Sequence, residues 1–358
     1  MSDQEKKTKR VKISIILSLI LSISFIAIIL YLTIDANTIE FLATAQINYV
    51  YFMIAILVGF LFWVLWGLRL QILSNAIDPQ VHISLWESIK IVFANLFLAN
   101  ITPSMAGGEP VRIYLLNKNG LSVGGATAAV LGERMLDALF LLICVPFAFY
   151  IFGRYLTTGL LQFGLGIAVI VFILVLIVFI YSIKKPEKTK RILIKIAEKF
   201  RKLIKKDTSQ KIINRISVEI DHFHETMVYY MTKGKKTFFL AGIITVLFWA
   251  TGWLIPILLL LSLGLEPHVL ASTAAQVLLI IIAMMPTTPG STGVSEGGVA
   301  ALYGVFIGSS LLGVFVLLFR FITYHLGLIV GAIFQYRFFK SITTFTMEKI
   351  SDRSPPEP

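Results

Sequence analysis

Two short stretches gather glycine, proline, hydroxyl and carboxylate residues in a chain that is otherwise apolar. The first reads TPSMAGGE, Thr102 to Glu109, and the second TPGSTGVSE, Thr288 to Glu296. Each runs Thr-Pro, then small residues, then Glu. Each is followed in the next apolar segment by an arginine, Arg134 after Glu109 and Arg320 after Glu296. Proline removes an N–H and disfavours helix in the residue before it, and glycine opens backbone angles that other residues avoid. Pro103, Gly107 and Gly108 would form one turn, and Pro286, Pro289, Gly290 and Gly293 the other. A helix that restarts after such a turn aims free N–H groups and a positive dipole end back at it, which suits an anion. Pro110 fits the first position of one restarting helix, and Ser291 or Thr292 the cap of the other.

The ionisable residues around these turns could complete a headgroup site. Arg112 lies one turn past the first break. Glu133, Arg134 and Asp137 fall within about 100° of arc on one helix. Arg320, Tyr324, Gly327 and Gly331 form a stripe with no acid on the same face, and its small residues would let another helix approach closely. Ionisable groups inside a bilayer are costly and point to function by default. Arg112, Arg134 and Arg320 are therefore candidates for holding a phosphate, with Ser291 and Thr292 as hydroxyl donors and Tyr324 beside them. Glu109, Glu133, Asp137 and Glu296 would balance charge, take a cationic headgroup or carry a coupling proton. The structural alternatives are an internal ion cluster at Glu133–Arg134–Asp137 and simple helix capping by Glu109 and Glu296. Glu87 and Lys90 fit an interface where long side chains snorkel, and His325 fits an interhelical hydrogen bond. His222 and His224 are two apart and share no helix face, so no metal site is expected. No nucleophile–base context and no Gly-Lys-Ser/Thr phosphate loop is present. Catalytic residues and cofactors are thus not expected, and any transport would be passive or ion-coupled.

The elements that must position these residues are membrane helices. The hydrophobic share is 57% and the mean hydropathy +0.84, above the usual range of soluble domains. Six spans are expected, over 13–34, 47–72, 126–152, 159–183, 237–263 and 308–337, each long enough for a bilayer core. Two shorter apolar runs, 85–101 and 268–285, each end at one of the breaks. Lys and Arg crowd the N-terminus 1–12, the 184–236 loop and the 341–358 tail, which the positive-inside rule places in the cytoplasm. The connections at 35–46 and 264–269 have no Lys or Arg and should lie outside. These assignments agree only if the short runs turn back, as two oppositely oriented re-entrant hairpins over 85–118 and 268–307. The fold class is therefore all-α and polytopic, an inverted repeat with a first membrane half at 13–183 and a second at 237–340, both termini cytoplasmic, in the cell membrane. The first apolar run is longer than a signal-peptide core and lacks a cleavage pattern. Cys144 is the sole cysteine, so no intrachain disulfide forms. The net charge of +12 concentrates in the loops. Within them ILIKIAEKFRKLI, at 192–204, reads as an amphipathic helix on anionic headgroups rather than a nucleic-acid surface.

The stretches NLFLANITPSMAGGEPVRIYLL, AAVLGERMLDAL and PTTPGSTGVSEGGVAALY resemble the membrane region of lysylphosphatidylglycerol synthases, the flippase domain of MprF-type proteins. The resemblance runs from about residue 13 to 340. It implies movement of a phosphate-bearing lipid, with aminoacylated and glycosylated headgroups among the candidates, between leaflets. In that family a soluble domain that makes aminoacylated lipid follows the membrane region. Here the sequence ends in EKISDRSPPEP, so no lysine transfer from aminoacyl-tRNA is expected of this chain. Two other readings stay open: a membrane subunit partnering a separate lipid-modifying enzyme, and an ion-coupled small-solute transporter.

Overall fold

The computed structural model describes residues 47–78, 80–102, 108–153, 234–283 and 291–334, with isolated positions elsewhere. The spans expected over 13–34 and 159–183, the amphipathic segment 192–204, the tail, and turn residues Pro103, Gly107, Pro286, Pro289 and Gly290 lie outside them, isolated positions apart.

Every regular element among the described residues is a helix. In chain order they are α1 (Tyr49–Asn75), α2 (Leu85–Ile101), α3 (Gly108–Lys118), α4 (Val123–Phe152), α5 (Lys235–Ser262), α6 (Val269–Ala283), α7 (Val294–Tyr303) and α8 (Ser309–Phe334). α1, α4, α5 and α8 have 27, 30, 28 and 26 residues and are apolar enough to cross a bilayer. Their outward faces remain apolar, with Leu57, Ile143, Phe239 and Ile329 among the exposed side chains. Such a surface is stable only against lipid or another protein. The chain is a polytopic membrane protein. Side-chain caps start three of its helices, from Asn48 in α1, Ser84 in α2 and Ser122 in α4.

The eight helices fall into two quartets of the same pattern: long, short, short, long. The shift that carries Tyr49 to Lys235 also carries Val123 to Ser309 and Arg134 to Arg320. The short helices, of 17, 11, 15 and 10 residues, rise about 1.5 Å per residue, and each falls short of the ~30 Å bilayer core. In the first quartet they form an antiparallel hairpin. Gly108 sits against Asn95, so closely that a Cβ would come 2.5 Å from its Oδ1. Lys118 and Glu87 share a cavity at the other end. In the second quartet Gly298 packs on Leu279, Tyr303 bonds Gln276 and Ser272, and the Ser291 hydroxyl donates to the Ala283 carbonyl at 3.2 Å.

The hairpins open at opposite ends of the molecule. Asn75 at the end of α1 bonds Ile83 just before α2. At the start of α1, the Asn48 N–H donates to the Ser262 carbonyl just before α6. Their tips come together on α8. Glu296, early in α7, pairs with Arg320, and Asn100, in the last turn of α2, donates to the Tyr324 carbonyl. Between these two contacts α8 makes a π-helical turn, Phe321–His325, a feature often found at functional sites. Beyond it the small-residue stripe admits the expected neighbour. A Cβ on Gly331 would lie 2.8 Å from the Phe93 carbonyl oxygen, so α2 and α8 touch backbone to side.

Candidate functional site

Each motif glutamate lies within ion-pair distance of the arginine in the long helix that follows it, though only Arg320 donates a hydrogen bond to its glutamate. Arg134 Nε lies 2.9 Å from Glu109 Oε1, and Arg320 Nε lies 2.9 Å from Glu296 Oε1. Each pair ties the second arm of a hairpin to the long helix that follows it. They differ in burial: the first side chains are 40% and 44% exposed, the second 5% and 0%. Glu296 also caps its own helix, accepting the Gly293 N–H at 2.7 Å. Gly293 has φ +85°, a region glycine reaches without a Cβ penalty. The acid absent from the face of Arg320 is thus supplied by another helix. The guanidinium also lies 4.2 Å from the centre of the Tyr324 ring, a cation–π contact. Ser291 and Thr292 are buried beside this tip.

The first quartet adds a charged cluster at the heart of the molecule. Glu133 is wholly buried and faces two arginines, one through each oxygen. Oε1 accepts from Arg69 Nε at 3.0 Å, and Oε2 accepts from Arg112 Nη2. Asp137 Oδ1 accepts from Arg69 Nη1 at 2.6 Å and from Trp249 Nε1 at 3.0 Å. Its Oδ2 accepts from Arg134 Nη1 at 3.3 Å. Three arginines (69, 112 and 134) thus meet three carboxylates (Glu109, Glu133 and Asp137). Their formal charges cancel, as buried charge requires.

The arginines are not equivalent. Arg69 has all three nitrogens engaged: by Glu133, by both oxygens of Asp137, and by the Thr245 hydroxyl. It also lies 4.7 Å from the Phe248 ring centre. Arg112 is equally buried, yet among the described residues its Nε and Nη1 have no hydrogen-bond partner, and the same holds for Nε of Arg134 and Nη2 of Arg320. An orphaned buried guanidinium N–H is costly, so these atoms mark where a bound anion or water would be favourable.

Arg69 is the residue that sequence reasoning missed, because one arginine near the end of a span reads simply as a mark of the cytoplasmic side. The signal was its phase. Trp63, Trp66, Leu70 and Leu73 line the buried face of α1, and Arg69 follows Trp66 by three residues, on that face. Trp249 and Thr245, on the face of α5 opposite, gave no sequence signal. His325 Nδ1 lies 3.1 Å from the Arg320 carbonyl within its own helix, at the π turn. Glu87 and Lys90 pair with each other at 2.5 Å, both half-exposed.

Residues 15–331 match the family described as lysylphosphatidylglycerol synthase TM region. The chain belongs to this family. Similar family-level relatives are UPF0104 membrane proteins. The one from Archaeoglobus fulgidus is 34% identical, over 80% of this chain and 86% of the relative. Those from Methanocaldococcus jannaschii and Pyrococcus horikoshii are 29% and 26% identical, over 88% and 80% of this chain and 92% and 86% of theirs. No solved structure matches.

Proposed function

We propose that this protein moves a phosphate-bearing lipid between membrane leaflets, with both hairpins re-entrant in the bilayer and both termini cytoplasmic. The observation that carries the reading is Arg112: a fully buried guanidinium just past a hairpin break, with two of its nitrogens unpartnered among the described residues. Family membership supports the lipid class, and paired, oppositely directed hairpins are an architecture of transporters. In this reading Arg112 grips the phosphate. Arg69 holds Glu133 and Asp137 in place. The Glu109–Arg134 and Glu296–Arg320 pairs fasten the hairpins. Because the arginine–carboxylate cluster is already neutral, a headgroup that brings an amine with its phosphate fits better than one that brings a bare negative charge. The acyl tails stay in the bilayer.

Reconstitution into liposomes tests this. Fluorescent lipids with phosphatidylethanolamine, aminoacylated phosphatidylglycerol, phosphatidylglycerol and phosphatidylcholine headgroups are placed in the inner leaflet, and their arrival outside is read by an impermeant quencher. Faster arrival of the amine-bearing headgroups, lost in Arg112→Gln, is the expected result. Equal rates in empty and protein-containing liposomes for every headgroup would overturn the proposal.

A further inference from the structure

A cavity lies at the open base of the first hairpin, away from the central charged cluster. Its volume is about 250 Å³, and it is formed between the start of α2, the end of α3 and Phe334 of α8. One part of the lining is cationic: Lys90 and Lys118, with Glu87. The rest is apolar, including Ile91, Leu115 and Phe334. Trp86 stands beside it, half-exposed, its ring 5.8 Å from that of Phe334 and 5.8 Å from the Lys90 ammonium. Among the described lining residues two lysines stand with one carboxylate. Lys90 spends one donor on Glu87 and, as an ammonium, has three.

We infer that this cavity holds the headgroup of an anionic phospholipid as a resident ligand. Four features agree. The ends of α2 and α3 lie here, and on the proposed re-entrant topology, on which this inference rests, that level is the headgroup layer. A half-exposed Trp is typical of that depth. Basic pockets between helices at this level bind anionic lipid headgroups. The size falls just below the ~300 Å³ at which drug-sized sites begin, room for a phosphodiester and a glycerol unit with the tails running out along Ile91 and Phe334. A free phosphate ester shares the anionic chemistry but has no use for the apolar wall.

Native mass spectrometry of the full-length protein, released from detergent with added lipid, tests the inference. Dioleoyl phosphatidylglycerol should stay bound and dioleoyl phosphatidylcholine should not. Each lysine near a headgroup contributes about a fivefold preference for anionic lipid, so Lys90→Gln with Lys118→Gln should lose about 25-fold in affinity. Both side chains are at the surface, so thermal stability in lipid-free detergent should not change. Arg112→Gln should retain phosphatidylglycerol, which separates this site from the proposed transport site. Retention of phosphatidylglycerol by the double lysine variant would overturn the inference. So would its displacement by millimolar glycerol phosphate, which would assign the cavity to a soluble ester.

Discussion

Arg320→Gln should destabilise the fold, and the reason lies in what it leaves behind. Glu296 is wholly buried, and its Oε1 receives the Arg320 guanidinium at 2.9 Å. Removing one partner of a buried ion pair strands the other charge, at a cost of about 3–5 kcal/mol. Removing both charges strands neither, and such replacements are often neutral. The double variant Arg320→Gln with Glu296→Gln should therefore recover most of the loss, staying within about 1 kcal/mol of the parent. The equivalent pair in the first quartet calibrates the estimate. Glu109 and Arg134 are 44% and 40% exposed, and at such exposure an ion pair contributes up to about 1 kcal/mol. Glu109→Gln should accordingly cost several-fold less than Arg320→Gln. The assay is equilibrium unfolding of purified protein in one fixed detergent–lipid mixture, read by tryptophan fluorescence and closed as a double-mutant cycle. An Arg320→Gln variant as stable as the parent would refute the reasoning, as would a double variant in which the two losses simply add.

Arg112→Gln should stop lipid movement in liposomes while leaving unfolding within about 1 kcal/mol of the parent, since losing a poorly satisfied buried cation offsets what Glu133 loses. A variant that unfolds readily would place Arg112 in the scaffold. Arg69→Gln should unfold the protein outright, by about 3–5 kcal/mol, because Glu133 and Asp137 both depend on it; a folded, active variant would contradict its role. Gly331→Leu should separate α2 from α8, since even a Cβ there meets the Phe93 carbonyl oxygen at 2.8 Å, and its expected signature is loss of folded protein from a detergent extract. Cysteines placed at Asn37 and Glu266 should react with an impermeant reagent from outside intact cells and one at Lys202 should not; the reverse pattern would invert the proposed topology.

The architecture was largely legible because its signals are local. Proline, glycine and segment length alone mark where α2 and α6 stop, and the Thr-Pro to Glu spacing places an arginine in each following helix at the matching depth. The pairing of Arg320 with Glu296 was not legible from helix phase, because the partner comes from a different helix across a turn. Arg69 was hidden differently. A single arginine near the end of a span normally reaches the interface, and only the face it occupies, beside Trp66 and Leu73, shows that it turns inward. Its partners Asp137 and Trp249 lie far away in sequence, on α4 and α5. The cavity at the hairpin base has no motif at all, since it arises from three helix ends meeting.

The two quartets share the Glu–Arg fastening but nothing else of the charged cluster, and that difference divides the labour between them. Shifted onto the second quartet, Arg69 falls on Ile255, Glu133 on Phe319, Asp137 on Thr323 and, allowing the extra residue in the turn, Arg112 on Val299. Ile255, Val299 and Phe319 all belong to one apolar core. The second quartet therefore packs apolar side chains at positions where the first carries charge, and in the proposed reading Arg320 fastens its hairpin while Arg112 holds the ligand. Lysine substitution separates these roles. A lysine at 320 still gives Glu296 a cation, so Arg320→Lys should keep most of the stability and most of the transport. A lysine at 112 still answers Glu133, but it lacks the planar fork that holds a phosphate through two parallel N–H groups, so Arg112→Lys should fold normally and transport poorly. Unfolding and liposome transport measured on both variants decide the matter. A stable Arg320→Lys protein that no longer moves lipid would put the phosphate at the second hairpin and make Arg320, not Arg112, the residue that grips it.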